Sequence, residues 1–161
     1  DIPRTDIGRI YGKGDNHGFQ TTLPSTIGPH EVCVYGVDSW VALSRKVGCS
    51  SVDVNGPAFG ALDSATSTSP GKITVSGWAI DPNTTAPINV HVYAFGQGAQ
   101  GLVANISRPD VGRIFGKGDL HGFIGTVNAS PGTHPVCVYA IDSWHVVGAN
   151  QTIKCMPVTV R

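Results

Sequence analysis

The chain has 161 residues, a formal net charge of zero and only 14% charged side chains. The absence of a basic excess argues against nucleic-acid binding, and no apolar run approaches the roughly 18 residues that a membrane helix needs. Apolar residues at 40% suffice for a packed core, while 21 Gly, 11 Pro and few Leu, Glu and Lys disfavour helices, so the composition predicts a folded all-β protein.

The first distinctive segment is RIYGKGDNHGF, residues 9–19, which places an Asp and a His among glycines. Its spacing matches neither phosphate-loop signature. Asp15 and His17 supply two ligands of different kinds, whereas a zinc site needs three or four. We therefore interpret the segment as a loop whose glycines adopt positive φ, whose Asp caps backbone N–H groups, and whose Phe19 enters the core as the next strand begins. A metal site and contact with another ligand are the alternatives.

Short runs rich in Val, Ile and Thr, broken by Gly, Pro, Asn and Asp, predict about seven strands after residue 55, and no segment predicts a helix. In KITVSGWAI, residues 72–80, the apolar alternation slips at Gly77, which predicts a β-bulge there and Trp78 in the core. Regular strand spacing with turn signals favours an antiparallel immunoglobulin-like β-sandwich over a parallel sheet. The predicted strands are residues 61–67, 72–80, 88–95, 102–106, 122–128, 135–142 and 154–160.

The chain repeats itself at an offset of about 104 residues. RIFGKGDLHGF at residues 113–123 matches residues 9–19, and about 23 of the first 40 residues are identical to their partners, a level that chance does not produce. Residues 56–104 have no such partner. This tandem repeat divides the chain into residues 1–54, the C-terminal half of a first module, and residues 55–161, a complete second module.

Four cysteines, two in each copy, predict one disulfide within each copy. The pairs Cys33–Cys49 and Cys137–Cys155 each join the VCVY strand to the last strand. Paired cysteines imply an oxidising compartment, and therefore an extracellular or cell-surface location, whereas buried free thiols are the alternative. Because the sequence contains no CxxC pair and no acidic cluster, we predict neither a metal nor a cofactor.

An Asp-Ser-Trp sequence follows the VCVY strand in both copies. Its Trp either stacks on a sugar or folds over the disulfide to close the end of the sandwich, and the second role is favoured because Trp is mostly buried in proteins. The candidate ligand contacts are Trp40, Trp144, Asp15, His17, Asp119 and His121.

Other polar residues are interpreted as structural. His30 and His134 precede the VCVY strands and are expected to cap turns. Asp110 either pairs with Arg108 or accepts backbone N–H bonds in its loop, and we favour the second role. The sequence has no G-x-S-x-G elbow and no paired carboxylates, so we predict no enzymatic activity.

Several motifs in residues 56–161 occur together: GWAIDP at 77–82, APINVHVY at 86–93, SRPDVG at 107–112, HGF at 121–123 and GTHPVCVYAID at 132–142. This combination resembles a tandem repeat of secreted and cell-surface proteins of actinobacteria. The first copy departs from it with Thr5 in place of Pro109. The resemblance implies an extracellular accessory or structural module, beside a peptidoglycan hydrolase or peptidase domain or in a long array, and it implies no particular ligand.

The half-module itself raises a question, because residues 1–54 would expose an apolar face and an open edge, which folded proteins avoid. The segment is a window cut from a longer array, or a neighbouring chain supplies the missing strands. A third explanation is a permuted fold in which residues 1–54 pair with 55–104. The last two explanations predict head-to-tail contacts that generate filaments or rings.

The sequence therefore favours a non-catalytic extracellular repeat with a structural or assembly role in a bacterial surface protein or fibre. Its expected partners are other copies of the chain or neighbouring repeats, joined through complementary half-modules. The alternative is an accessory module that binds cell-wall glycan and targets a hydrolase domain elsewhere. A fragment of a hydrolase is a third, weaker alternative.

Overall fold

The computed structural model describes residues 1–37, 43–94, 99–143 and 150–161. These residues form two short helices and ten strands. The helices are α1, Thr5–Tyr11, and α2, Pro109–Phe115. The strands are β1, Gly28–Val37; β2, Ser44–Val54; β3, Phe59–Ser69; β4, Lys72–Ile80; β5, Asn89–Ala94; β6, Gln100–Val103; β7, Ile106–Ser107; β8, Leu120–Asn128; β9, Gly132–Ala140; and β10, Gln151–Val160.

Strands β3 to β10 form two four-stranded antiparallel sheets, in the orders β3-β4-β8-β7 and β10-β9-β5-β6. The first order corresponds to strands A, B, E and D of an immunoglobulin sandwich, and the second to G, F, C and an added C′. The predicted antiparallel immunoglobulin-like β-sandwich is therefore confirmed. The predicted strand at 102–106 is two edge strands, β6 and β7, in opposite sheets, so the described residues of the sandwich form eight strands instead of seven.

The core lies between the two sheets and consists of alternate residues of their strands. Val90, Val92 and Ala94 of β5 are buried, while the residues between them reach the surface, as the alternation in the sequence predicts. The bulky aliphatic side chains that are fully buried are Ile73, Ile80, Val75, Val90, Val92, Val136 and Val138.

Each sheet is assembled from two separate stretches of sequence. The N-terminal half of the sandwich, residues 59–103, supplies two neighbouring strands to each sheet, and the C-terminal half, residues 106–160, supplies the other two. The halves meet where β4 pairs with β8 and where β5 pairs with β9. The permuted alternative, in which residues 1–54 pair with 55–104, is therefore wrong.

Strand β4 has no bulge at Gly77, contrary to the prediction. Its register with β8 is unbroken, and the irregularity lies in the neighbouring strand β3. Gly77 keeps its inward phase because the ring of Phe123 takes the place of a side chain: a Cβ at Gly77 would lie 2.7 Å from the Cζ atom of Phe123. Trp78 is consequently half-buried outside the core, against the rings of Phe59 and Phe115.

The two helices are a second departure from the sequence prediction, which contained none. Each has an Asp in its first turn, an Arg in its last turn and a left-handed Gly at its C-cap, with φ of 63° at Gly12 and 65° at Gly116. Pro109 in the first turn of α2 adds a further start signal. Seven residues are too few to display an apolar helical period, so only these end signals identify the helices.

Residues 1–54 form a smaller unit that contains α1, the antiparallel hairpin β1–β2 and a bridge between Ile2 and Gly18. The same elements recur as α2, the hairpin β9–β10 and the pairing of Ile106 with Gly122. The difference lies in residues 19–27, which form no strand although residues 123–128, the counterparts of 19–24, belong to β8. In the sandwich β8 lies between β7 and β4, and residues 1–54 contain no sequence that corresponds to β4.

Candidate functional site

Apolar residues that form the core of the sandwich are exposed at the matching positions of residues 1–54. Phe19 is 68% exposed whereas Phe123 is 2% exposed, and Leu23 is 63% exposed whereas Val127 is 5% exposed. Contiguous apolar surface of this kind marks a site of association. We define the open face as Phe19, Leu23, Val32 and Val52, whose buried counterparts are Phe123, Val127, Val136 and Val158.

A hollow of about 520 Å³ lies along the open face, between residues 21–25 and the β1–β2 hairpin. Leu23, Val32 and Val52 line it, together with His30 and Glu31. In the sandwich, the counterparts of the three apolar residues belong to one continuous core with side chains from β4 and β5. The hollow therefore has the lining of a core whose other side is missing.

The GKGDxHGF loops have the geometry of structural turns. The imidazole Nε2 of His17 donates to the carbonyl of Lys13 at 3.0 Å, and that of His121 donates to the carbonyl of Lys117 at 2.9 Å. Two of the three glycines in each loop have positive φ, so the prediction is confirmed for Gly12, Gly14, Gly116 and Gly118 and not for Gly18 and Gly122. His121 is fully buried, whereas His17 is exposed.

The Asp residues of these loops lie against the preceding helix. A Cβ at Gly112 would lie 2.2 Å from the Oδ1 atom of Asp119, so the close approach requires glycine, and Asp15 lies against Gly8 in the same way. Phe123 enters the core as predicted, but Phe19 does not, because nothing covers it. A ligand contact at these Asp and His residues stays a prediction.

Two further histidines cap turns, as predicted. The Nε2 atom of His30 donates to the carbonyl of Thr26 at 2.7 Å, and that of His134 donates to the carbonyl of Ser130 at 2.7 Å. Each ring thereby closes the turn that leads into the VCVY strand.

Arg108 is the centre of an ion-pair network. Its guanidinium donates to both carboxylate oxygens of Asp110, at 2.9 and 2.7 Å, and to Asp63 of β3 at 2.6 Å. Arg4 makes the corresponding pair with Asp6. The favoured role of Asp110 as a cap of backbone N–H groups is therefore secondary, because the planar fork of Arg108 matches its carboxylate in two hydrogen bonds.

The network has a measurable effect on acid titration. The hydrogen bond from Arg108 lowers the pKa of Asp110 from 3.8 to about 2. We expect Arg108→Gln to return this pKa to its ordinary range, as followed by NMR titration of the carboxyl carbons. Because the folded-state pKa is depressed, the contribution of the pair to stability is present above about pH 4 and is lost as the pH falls towards 2.

Arg4→Gln is the matched control, because Arg4 lowers the pKa of Asp6 to about 2 in the same way. This variant should release Asp6 and leave the pKa of Asp110 unchanged. A depressed pKa for Asp110 in the Arg108→Gln variant would contradict the assignment of the shift to this side chain.

Asp81 connects the turn after β4 to the segment after β9. Its buried carboxylate accepts hydrogen bonds from the backbone N–H and the hydroxyl of Ser143, and from the backbone N–H of Asn83 at 2.8 Å. An Asp that accepts a bond from the N–H two residues later is a recognised turn signal. Its reach to Ser143, 62 residues away, has no local signal.

The turn that contains Asp81 also holds neighbouring parts of the chain. Lys117 donates its ammonium group to the carbonyl of Pro82. The side chain of Asn83 accepts from the backbone N–H of Gly56 at 2.8 Å and donates to the carbonyl of Val54 at 3.3 Å. This turn therefore fixes the C-terminal half of the sandwich and the connection to residues 1–54.

Both predicted disulfides are formed, Cys33–Cys49 and Cys137–Cys155. Each joins residues that lie opposite one another in a hairpin, β1–β2 or β9–β10. In the described part of the chain, one cluster of three possible metal ligands occurs, Glu31 with Cys33 and Cys49. Its two sulfurs are committed to the disulfide, so the cluster does not offer a metal site.

A second surface feature lies on the outer face of β5 and β9. The rings of Tyr93 and Tyr139 meet edge to face with centroids 5.4 Å apart, and with Ile141 and Asn150 they line an open hollow of about 360 Å³. Trp40 and Trp144, the predicted aromatic contacts, lie outside the described residues.

No protein-family model matches this chain, and no curated protein sequence matches it. Among solved structures, the chain is similar to the extracellular region of rat CD45, domains d3–d4, with a TM-score of 0.49 and 8% identity over 90% of this chain and 71% of that one. The immunoglobulin-like fold is assigned from the strand order of this chain alone. In the described residues, no helix is long and apolar enough to cross a membrane.

Proposed function

We propose that this protein is a non-catalytic extracellular repeat with a structural role in a bacterial surface protein or fibre. In this proposal residues 1–54 are the C-terminal half of one module and residues 55–161 form the next. Successive units are joined where complementary halves close a sandwich. The motif resemblance in residues 56–161 supports the bacterial cell-surface setting.

The observation that carries the proposal is the open face. Its four residues match core residues of the sandwich in sequence position, yet they are exposed to solvent. An apolar face of this kind is stable only when it is covered. The open face therefore supports a role in association with other units, and such a role needs no catalytic residue.

The disulfides support the extracellular location. Disulfides persist in oxidising compartments and are rare in the cytosol. Residues 1–54 and residues 106–160 carry the same disulfide at the same place in their hairpins. Residues 1–54 therefore keep a cross-linked hairpin even without the rest of a sandwich.

Light scattering over a range of concentrations tests the assembly role. We expect the mass to rise above that of the 16.8 kDa monomer, because open faces that no partner half covers bury their apolar residues against one another. Leu23→Asp should reduce this association by placing a charge in the hollow. Ile124→Asp is the matched control, since Ile124 is similarly exposed but lies outside the open face.

Electron microscopy of concentrated samples then distinguishes filaments or rings from closed dimers. A monomer at high concentration, with both halves ordered, would contradict assembly through the open face. Equal association of the Leu23→Asp and Ile124→Asp variants would also contradict it.

A second candidate function, binding of cell-wall glycan, is favoured by the aromatic hollow. The rings of Tyr93 and Tyr139 present apolar surface beside Asn150, whose amide can both donate and accept hydrogen bonds. Aromatic faces next to polar groups suit sugars, which combine C–H surfaces with hydroxyl groups.

Co-sedimentation with purified cell wall tests this candidate. If the hollow binds glycan, Tyr139→Ala should reduce the bound fraction at least about tenfold, as expected for loss of a central aromatic contact. Tyr35→Ala is the control, because Tyr35 is the counterpart of Tyr139 on β1 and has no counterpart of Tyr93 beside it. The absence of sedimentation with cell wall would leave the structural role alone.

A further inference from the structure

We propose that the open face is a docking surface for one kind of partner: the N-terminal half of the same repeat, four strands with the pattern of residues 59–103. This inference rests on the proposed structural role and names the partner of that same surface. The sandwich itself shows how such a partner would dock, because its residues 59–103 cover residues 106–160. Residues 1–54 repeat the sequence of residues 106–160.

The two strand pairings that join the halves define how the partner docks. In the sandwich β5 pairs with β9, placing Val92 opposite Val138 and Ala94 opposite Val136. The counterpart of β9 is β1, which, among the described residues, is hydrogen-bonded to β2 on one side only. A partner strand with the β5 pattern can therefore add to the other edge of β1 and cover Val32, the counterpart of Val136.

The second pairing explains why residues 19–27 form no strand. In the sandwich β4 pairs with β8 along seven residue pairs, with Gly77 opposite Phe123. Gly77 leaves the space that the Phe123 ring fills. A partner strand with the β4 pattern would offer the same space to Phe19 and would convert residues 19–27 into a paired strand.

The polar groups that join the two halves are also kept in residues 1–54. Within the sandwich, Arg108 binds Asp63 and Lys117 binds the carbonyl of Pro82. Their sequence counterparts are Arg4 and Lys13. The counterpart of Ser143, which binds Asp81, is Ser39, a residue outside the described part of the chain. Residues 1–54 therefore retain hydrogen-bond donors for two acceptors that a partner would bring. These acceptors are the turn that corresponds to the one containing Asp81 and the carboxylate that corresponds to Asp63.

Residues 59–103 are already engaged with residues 106–160 in the sandwich. Completion of the open face therefore requires a further N-terminal half, from a neighbouring unit.

The test is an extended chain in which a copy of residues 56–104 precedes Asp1. Since residue 1 aligns with residue 105, the new junction repeats the natural connection after Ala104. Amide hydrogen exchange is measured in residues 19–27 and in β1. We expect protection to rise about 100-fold over the original chain, and the mass from light scattering to return to that of a monomer.

The control is the same extension with Val75→Asp and Val92→Asp in the added copy only, which should fail to dock and leave residues 19–27 unprotected. Equal exchange in the extended and the original chain would overturn the inference, as would equal protection by the charged control. Protection of residues 19–27 in a monomeric original chain would overturn it too. These results concern the partner alone, whereas concentration-dependent mass of the original chain tests the structural role.

Discussion

Replacing Phe123 by Ala is expected to lower the free energy of unfolding of the sandwich by about 3–5 kcal/mol, whereas Phe19→Ala should change it by less than about 0.5 kcal/mol. The two residues occupy the same place in the repeat. Phe123 is 2% exposed and its ring fills the space over Gly77, so its loss leaves a cavity. Phe19 is 68% exposed and has little contact to lose.

Urea unfolding followed by circular dichroism measures both variants. The matched pair removes differences in residue type and in local sequence. A cost above about 1 kcal/mol for Phe19→Ala that grows with protein concentration would show that the open face is already covered in solution. Nearly equal losses of unfolding free energy for Phe19→Ala and Phe123→Ala at every concentration would contradict the contrast between residues 1–54 and the sandwich.

Replacing Asp81 by Ala is expected to cost about 3 kcal/mol, the second large effect. The change removes a buried carboxylate that accepts hydrogen bonds from the backbone N–H groups of Ser143 and Asn83, and a hydrogen bond to a charged group contributes about 1.5–3 kcal/mol. Asp81→Asn should cost less, because its amide oxygen can still accept one of these bonds.

Asp53→Ala is the control for Asp81, because Asp53 is exposed on β2 and its substitution should fall within about 0.5 kcal/mol. Hydrogen exchange should show where the Asp81 variant is weakened. Faster exchange at Ser143 and its neighbours is expected, since Asp81 connects this segment to the turn after β4. A loss of stability without faster exchange there would contradict the proposed connection.

The fold was predictable because alternation and repetition are properties of the sequence itself. The apolar alternation of β5 identified its buried face, and the paired cysteines identified two hairpins. The 104-residue offset supplied the register between residues 1–54 and the sandwich, and the open face is found by applying that register.

Features that depend on distant partners were not predictable. The apparent phase slip at Gly77 arises because the space beside it is filled by Phe123, which is 46 residues further along the chain. The bond between Asp81 and Ser143 had no signal in the sequence, because the two residues are 62 positions apart. The ion pair of Asp110 with Arg108 is a local feature that the sequence analysis named but did not favour, although the identical spacing of Arg4 and Asp6 was a signal for both ion pairs.

The division of each sheet between two halves has a consequence for the order in which the protein is made. During synthesis or export from the N-terminus, residues 59–103 emerge when residues 1–54 are already present and residues 106–160 are not. For that interval the open face offers them a complementary surface, a partner that the finished sandwich does not use. Folding must then release this early pairing, so we expect a slow refolding phase that disappears when residues 1–54 are deleted, a competition typical of neighbouring repeats with similar sequences.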